Sequence, residues 1–217
     1  MTSGEEMDLG LDQTAFTEVI GLLIRLHRPK DQAYGDAWRK RGEVLGIFAN
    51  IARKADRLER ARLEPQPAAA EELGDTVADL AIYAGKYLTW LAETQPLIFE
   101  AVPPGPRANA CDSRRGPEAL ERVLDALTQW EEQRSRPTPR DVTEAWDHTA
   151  KSFSALEAGI IAQAERPEAR HMSWNDKVEL AWELTDGSTW LLVRLGQSDP
   201  ALLDALRASV ERIESRT

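Results

Sequence analysis

The sequence predicts an all-α protein. Ala, Leu, Glu and Arg dominate while Val, Ile and Thr are sparse, a composition that favours helix. Apolar residues recur at three- and four-residue intervals, and the strict alternation of half-buried strands is absent. An ordered set of short matches also divides the chain into two related halves, so two pseudo-repeated helical units are expected to pack as one bundle.

The first helix covers Gln13 to Arg28, with Phe16, Val19, Ile20, Leu23 and Leu26 at helical spacing. Pro29 is expected to end it, because proline lacks the N–H and its ring clashes with the preceding turn. A polar turn, Asp31 to Asp36, follows. The second helix runs from Arg41 to Arg62 and buries Leu45, Phe48, Ile51, Ala55 and Leu58. Pro65 and Pro67 break the chain before the third helix, Ala68 to Glu93, whose stripe is Leu73, Val77, Leu80, Ala84, Leu88 and Leu91.

Thr94 to Pro117 reads as a linker, extended or mobile, with five prolines and two glycines. The first half is therefore placed at 1–95, the Pro/Gly-rich linker at 96–117 and the second half at 118–217. The fourth helix covers Glu118 to Arg134, closed off by Pro137 and Pro139. The fifth covers Asp141 to Ala164 and the sixth Ser173 to Leu195. The seventh opens with Ser198 or Asp199 as cap and Pro200 in the first turn.

The repeat rests on particular residues. Glu72-Leu73-Gly74-Asp75 recurs as Glu183-Leu184-Thr185-Asp186, and Ala37-Trp38 as Ala145-Trp146, with Asp36 matched by Glu144. Two helical hairpins related in this way can pack as two subunits of a dimer would.

Composition bounds the function. A chain of 217 residues with 42% hydrophobic content can bury a core as one large domain or two small ones. Apolar runs such as Val19 to Ile24 fall far short of the ~20 residues of a membrane span. The acidic, polar start, Met1 to Asp12, is no secretory signal, so a cytoplasmic chain with no membrane partner is expected. A single cysteine, Cys111, excludes an intramolecular disulfide, and His27, His148 and His171 are too dispersed for a Cys/His zinc cluster. The formal charge of −10 argues against broad nucleic-acid binding.

The third helix carries Glu72, Asp75 and Asp79 on one face beside the apolar seam. Three such carboxylates repel one another, and a hard cation, magnesium or manganese, would relieve the repulsion. The alternative is a solvated acidic face favoured by the helix dipole. The sixth helix repeats the stripe with Glu179, Glu183 and Asp186, a candidate second site in which Trp190 stands at the position of Asp79.

On the second helix, Lys54 and Arg57 could contact phosphates, and Asp56 and Glu59 could complete a metal site. The alternative is a set of intrahelical ion pairs. Tyr34 or Trp38, beside Gly35, could stack on a base or fill the core. There is no Gly-rich phosphate loop and no Walker-type lysine motif.

Glu71 to Asp75, Glu-Glu-Leu-Gly-Asp on an amphipathic helix, resembles the third-helix motif of the MazG-like all-α nucleoside triphosphate pyrophosphohydrolases. That family's pattern is Glu-Glu-x-x-Glu, a gap, then Glu-x-x-Asp. Its first part falls here on Asp56 to Glu59, with Ala55 and Asp56 in place of the paired glutamates. Tyr34 to Trp38, Lys54 to Leu58, Asp75 and Asp79 also resemble the related nucleotide-modification-associated domains of phage and bacterial genomes. The resemblance covers Thr14 to Leu91 well and the second half loosely, where Pro167 separates Glu165 from Glu168.

The resemblance implies a MazG-like four-helix-type bundle, often a homodimer, that converts a nucleoside triphosphate to monophosphate and pyrophosphate. It assigns magnesium, or manganese, to Asp56, Glu59, Glu72 and Asp75, with Lys54 and Arg57 on the phosphates. Asp79 would join Glu72 and Asp75 in catalysis, holding a further metal or orienting water. A non-catalytic nucleotide-binding or helical interaction module is the competing expectation, favoured by the departures from the motif.

Overall fold

A computed structural model describes residues 3–63, 70–101, 117–133, 137–165 and 171–215. Among these residues eight α-helices follow one another: α1 (Ser3–Tyr34), α2 (Ala49–Leu63), α3 (Ala70–Thr94), α4 (Pro96–Ala101), α5 (Pro117–Gln133), α6 (Val142–Glu165), α7 (Trp174–Ser198) and α8 (Pro200–Glu214). No strand occurs among the described residues, so the protein is an all-α bundle. No described helix is long and apolar enough to cross a membrane.

The bundle is organised around α3 and α7, which pack on each other; α2 lies along α3 and α6 along α7. One hydrophobic cluster draws residues from all eight helices. Helix α7 is buried over most of its length, including Thr185, Asp186, Ser188 and Thr189. Its hydroxyls survive burial by bonding back along the helix: Thr185 to Ala181 O, Ser188 to Leu184 O and Thr189 to Thr185 O. A capping box on Ser173 and Asp176 fixes where α7 begins.

The structure corrects three sequence expectations. First, α1 begins at Ser3 and passes through Pro29 to Tyr34. Tertiary ion pairs on both sides of the proline hold the two segments in line: Arg25 with Glu214, Arg28 with Glu121, Lys30 with Asp79.

Second, the expected second helix opens as a π-helical turn that runs without a break into α2. Gly35–Arg39 is a 3₁₀ turn and Glu43–Phe48 a π-helical turn, entered through Gly42 at φ 75. Gly46 lies against Trp38 O, where an added Cβ would sit 3.0 Å away.

Third, the expected linker contains α4, whose Phe99 packs against Trp182. Pro96, Pro117 and Pro200 are each the first residue of a helix, where the missing N–H removes no helical bond. The remainder of the predicted linker, 102–116, lies outside the described residues, as do Pro65, Pro67, Cys111 and Pro167.

Candidate functional site

The C-terminal part of α2 and the N-terminal part of α3 form a cleft of about 580 Å³. From α2 it is lined by Lys54, Arg57 and Arg60; from α3, by Glu72, Asp75 and Asp79. Steps of three and four residues bring successive side chains to neighbouring positions on a helix, so both sets reach the cleft. The cleft thus joins three cations and three carboxylates.

Its electrostatics centre on Asp79. Lys30 Nζ, from α1, donates to Asp79 Oδ1 at 2.8 Å, and Lys54 Nζ to Oδ2 at 2.5 Å. Burial pushes the Asp79 carboxyl upward, but Lys30 and Lys54 together outweigh it and leave its pKa lowered. Asp79 is therefore held as a carboxylate. Lys54 is itself buried, so this pair fixes its ammonium in the cleft wall.

Asp56 and Glu59 do not join this cleft. Asp56 follows Lys54 by two residues, which is about 200° around a helix of 3.6 residues per turn. The two acids instead line a second groove of about 270 Å³ between α2 and α6, with Trp146, Phe153 and Glu157. The Glu157 carboxyl is pushed up by burial, then by Asp56 and Glu59.

The acidic stripe of α7 is dispersed. Glu179 is exposed, while Glu183 is half-buried and accepts a hydrogen bond from Ser152 at 3.4 Å. Asp186 is fully buried. Because α7 is the enclosed helix of the bundle, its carboxylates run from solvent into the core and share no open surface.

Whether a cation fits can be judged from the donors. Of the four carboxylates assigned to magnesium, Glu72 and Asp75 share the cleft and Asp56 and Glu59 face away. Among the described residues no three His, Cys, Asp or Glu side chains gather closely enough to hold a metal ion. Two carboxylates still suit magnesium shared with a phosphate ligand, since it is commonly held by one or two carboxylates plus phosphate oxygens.

Sequence reasoning missed two cations. Arg60 was legible as the next position, three residues on, along the face of Arg57. Lys30 was not, because it follows the proline expected to end the first helix. Trp38 is half-buried, with Lys86 Nζ 5.2 Å and Arg39 Cζ 5.6 Å from its ring. The Tyr34 side chain lies outside the described residues.

No family model matches the chain, and no solved structure does. A 112-residue alignment is 30% identical to the Gene 30 protein of Bacillus phage SP01, covering 42% of this chain and 50% of the phage protein. The chain thus spans about half the length of that curated relative.

Proposed function

We propose that the α2–α3 cleft receives the polyphosphate of a nucleoside triphosphate and that the chain hydrolyses it to monophosphate and pyrophosphate. Magnesium is the proposed ion, with manganese as its substitute, in a MazG-like enzyme of the cytoplasm. The observation that carries this reading is the meeting of Lys54 and Arg57 with Glu72, Asp75 and Asp79 in one cleft.

Each residue then has a task. Lys54, Arg57 and Arg60 offset phosphate charge through charge-assisted hydrogen bonds. Glu72 and Asp75 hold the phosphate-bound cation. Asp79 positions Lys54. Magnesium in that place polarises phosphate oxygens and lowers the pKa of a bound water.

A second reading is a non-catalytic nucleotide-binding module. The outward turn of Asp56 and Glu59, which leaves half of the expected metal set outside the cleft, favours it.

Pyrophosphate release from a panel of ribo- and deoxyribonucleoside triphosphates, canonical and modified, with magnesium and with manganese, separates the two. The hydrolase reading expects metal-dependent release that Asp75→Ala abolishes while helicity is kept. It also expects Asp56→Ala and Glu59→Ala to retain release, because neither lines the cleft. Binding without release would establish the module. Release undiminished in Asp75→Ala would sink the site assignment.

A further inference from the structure

The two oxygens of Asp79 are taken by ammonium groups from two different helices, Lys30 on α1 and Lys54 on α2. A cation approaching Asp79 meets two ammonium charges beside the carboxylate, whereas an anion meets them with donors to spare, because each ammonium carries three N–H groups and gives one to Asp79. Arg57 and Arg60 continue the same face of α2 and form no ion pair with another described residue. Lys30 adds a fourth positive charge beside the three lining cations. Glu72 and Asp75 are exposed on the α3 wall. The Lys30–Asp79–Lys54 end of the cleft is therefore set for an anion before any metal arrives.

We propose that Lys30, Lys54, Arg57 and Arg60 form an anion site that binds a di- or triphosphate directly, without a metal escort. Asp79 is its internal counter-ion and Lys30 a substrate-binding residue supplied by α1. This inference rests on the reading that a nucleotide polyphosphate enters the cleft, and it adds the order of events: phosphate first, cation second. The side chain of Lys30 is 45% exposed, so it can turn from Asp79 to a ligand without disturbing the core.

The test is isothermal titration of the chain with inorganic tripolyphosphate in EDTA at fixed ionic strength, with sulfate as the control anion. Saturable one-site binding of tripolyphosphate is expected. Lys30→Ala should weaken it about tenfold or more, the scale of one lost hydrogen bond between charged groups. Lys30→Arg should restore it, and Lys30→Gln, which keeps a donor for Asp79 but no charge, should not. Equal melting temperatures would show that the variants fold. Binding that requires magnesium, or that is the same in Lys30→Ala as in the wild type, would overturn the proposal. Magnesium-dependent pyrophosphate release without metal-free binding would sink this inference and leave the hydrolase reading standing. Metal-free binding without release from any nucleotide would do the reverse.

Discussion

Glu43 and Lys177 lie 134 residues apart in sequence and meet inside the bundle, with Lys177 Nζ 2.7 Å and 2.9 Å from the two carboxylate oxygens. Lys177 is almost wholly buried, and its ammonium also sits 4.6 Å from the centre of the Trp174 ring. Tyr87 O–H donates to the same carboxylate at 2.5 Å. This cluster ties the π-helical turn to α3 and α7, and so joins the earlier and later parts of the chain.

Removing one member of such a pair leaves an uncompensated charge. Lys177→Met is expected to destabilise the protein by roughly 3–5 kcal/mol, the usual cost of orphaning a buried partner. Adding Glu43→Gln should recover part of that loss, because Tyr87 can still bond the amide. Urea denaturation of the two single variants and the double variant measures the coupling. Purely additive losses would mean that the pair does not act as a unit.

Helices α6 and α7 approach closely at Gly187. A Cβ there would sit 3.0 Å from Thr149 Oγ1 and 3.3 Å from the backbone N and Cα of Thr149. Alanine gains about 1 kcal/mol in helix propensity, whereas overpacking costs about 1–3 kcal/mol. Gly187→Ala is therefore expected to be mildly destabilising and Gly187→Leu clearly so, by chemical denaturation. A Gly187→Ala protein more stable than wild type would show that α6 retreats without cost.

The α2–α6 groove predicts a stabilising change. Burial, Asp56 and Glu59 raise the pKa of Glu157, so its ionised form is disfavoured in the fold. Glu157→Gln should raise stability at pH 7 by a few tenths of a kcal/mol, the scale of a like-charge pair. The sign follows from linkage: a carboxyl with a raised folded pKa weakens the fold above its unfolded value, and the penalty fades as pH falls. The gain from Glu157→Gln should therefore shrink toward zero in acid. A constant gain across pH would assign it to packing instead of charge.

These cases show what the sequence could convey. Long amphipathic helices were legible because α3, α6 and α7 repeat their apolar stripe over many turns, and burial of that stripe decides the structure. The face shared by Glu72, Asp75 and Asp79 was legible for the same reason. Proline was over-read. It was taken as a breaker at positions 29, 96 and 117, whereas ion pairs carry α1 across Pro29 and the other two open helices. Motif logic also placed Asp56 and Glu59 beside Lys54 and Arg57, although a two-residue offset turns them to opposite sides of α2. Lys30 and Lys177 escaped because their partners are distant in sequence, and spacing carries no signal for a contact made only by tertiary packing.

His27 predicts a pH dependence above the carboxylate range. It is buried on α1, with Asp31 on its own helix, Lys86 on α3 and Glu121 on α5 around it. Burial, then Lys86, brings its pKa down from 6.5 to about 4, with Lys30 adding to the fall while Asp31 and Glu121 oppose it. The unfolded chain therefore takes up a proton before the folded one does, and stability rises with pH between those two values. The contribution is fully present above about pH 6.5 and is lost as pH falls toward 4, reaching roughly 3 kcal/mol at most. Asp12 and Asp79, whose carboxyls are held down by partners other than His27, lose their own contribution at lower pH in both proteins, so a comparison cancels them. His27→Leu should thus flatten the rise in urea-unfolding free energy between pH 4.5 and 6.5. An unchanged slope in that variant would mean that the imidazole is protonated inside the fold, with Asp31 dominating its environment.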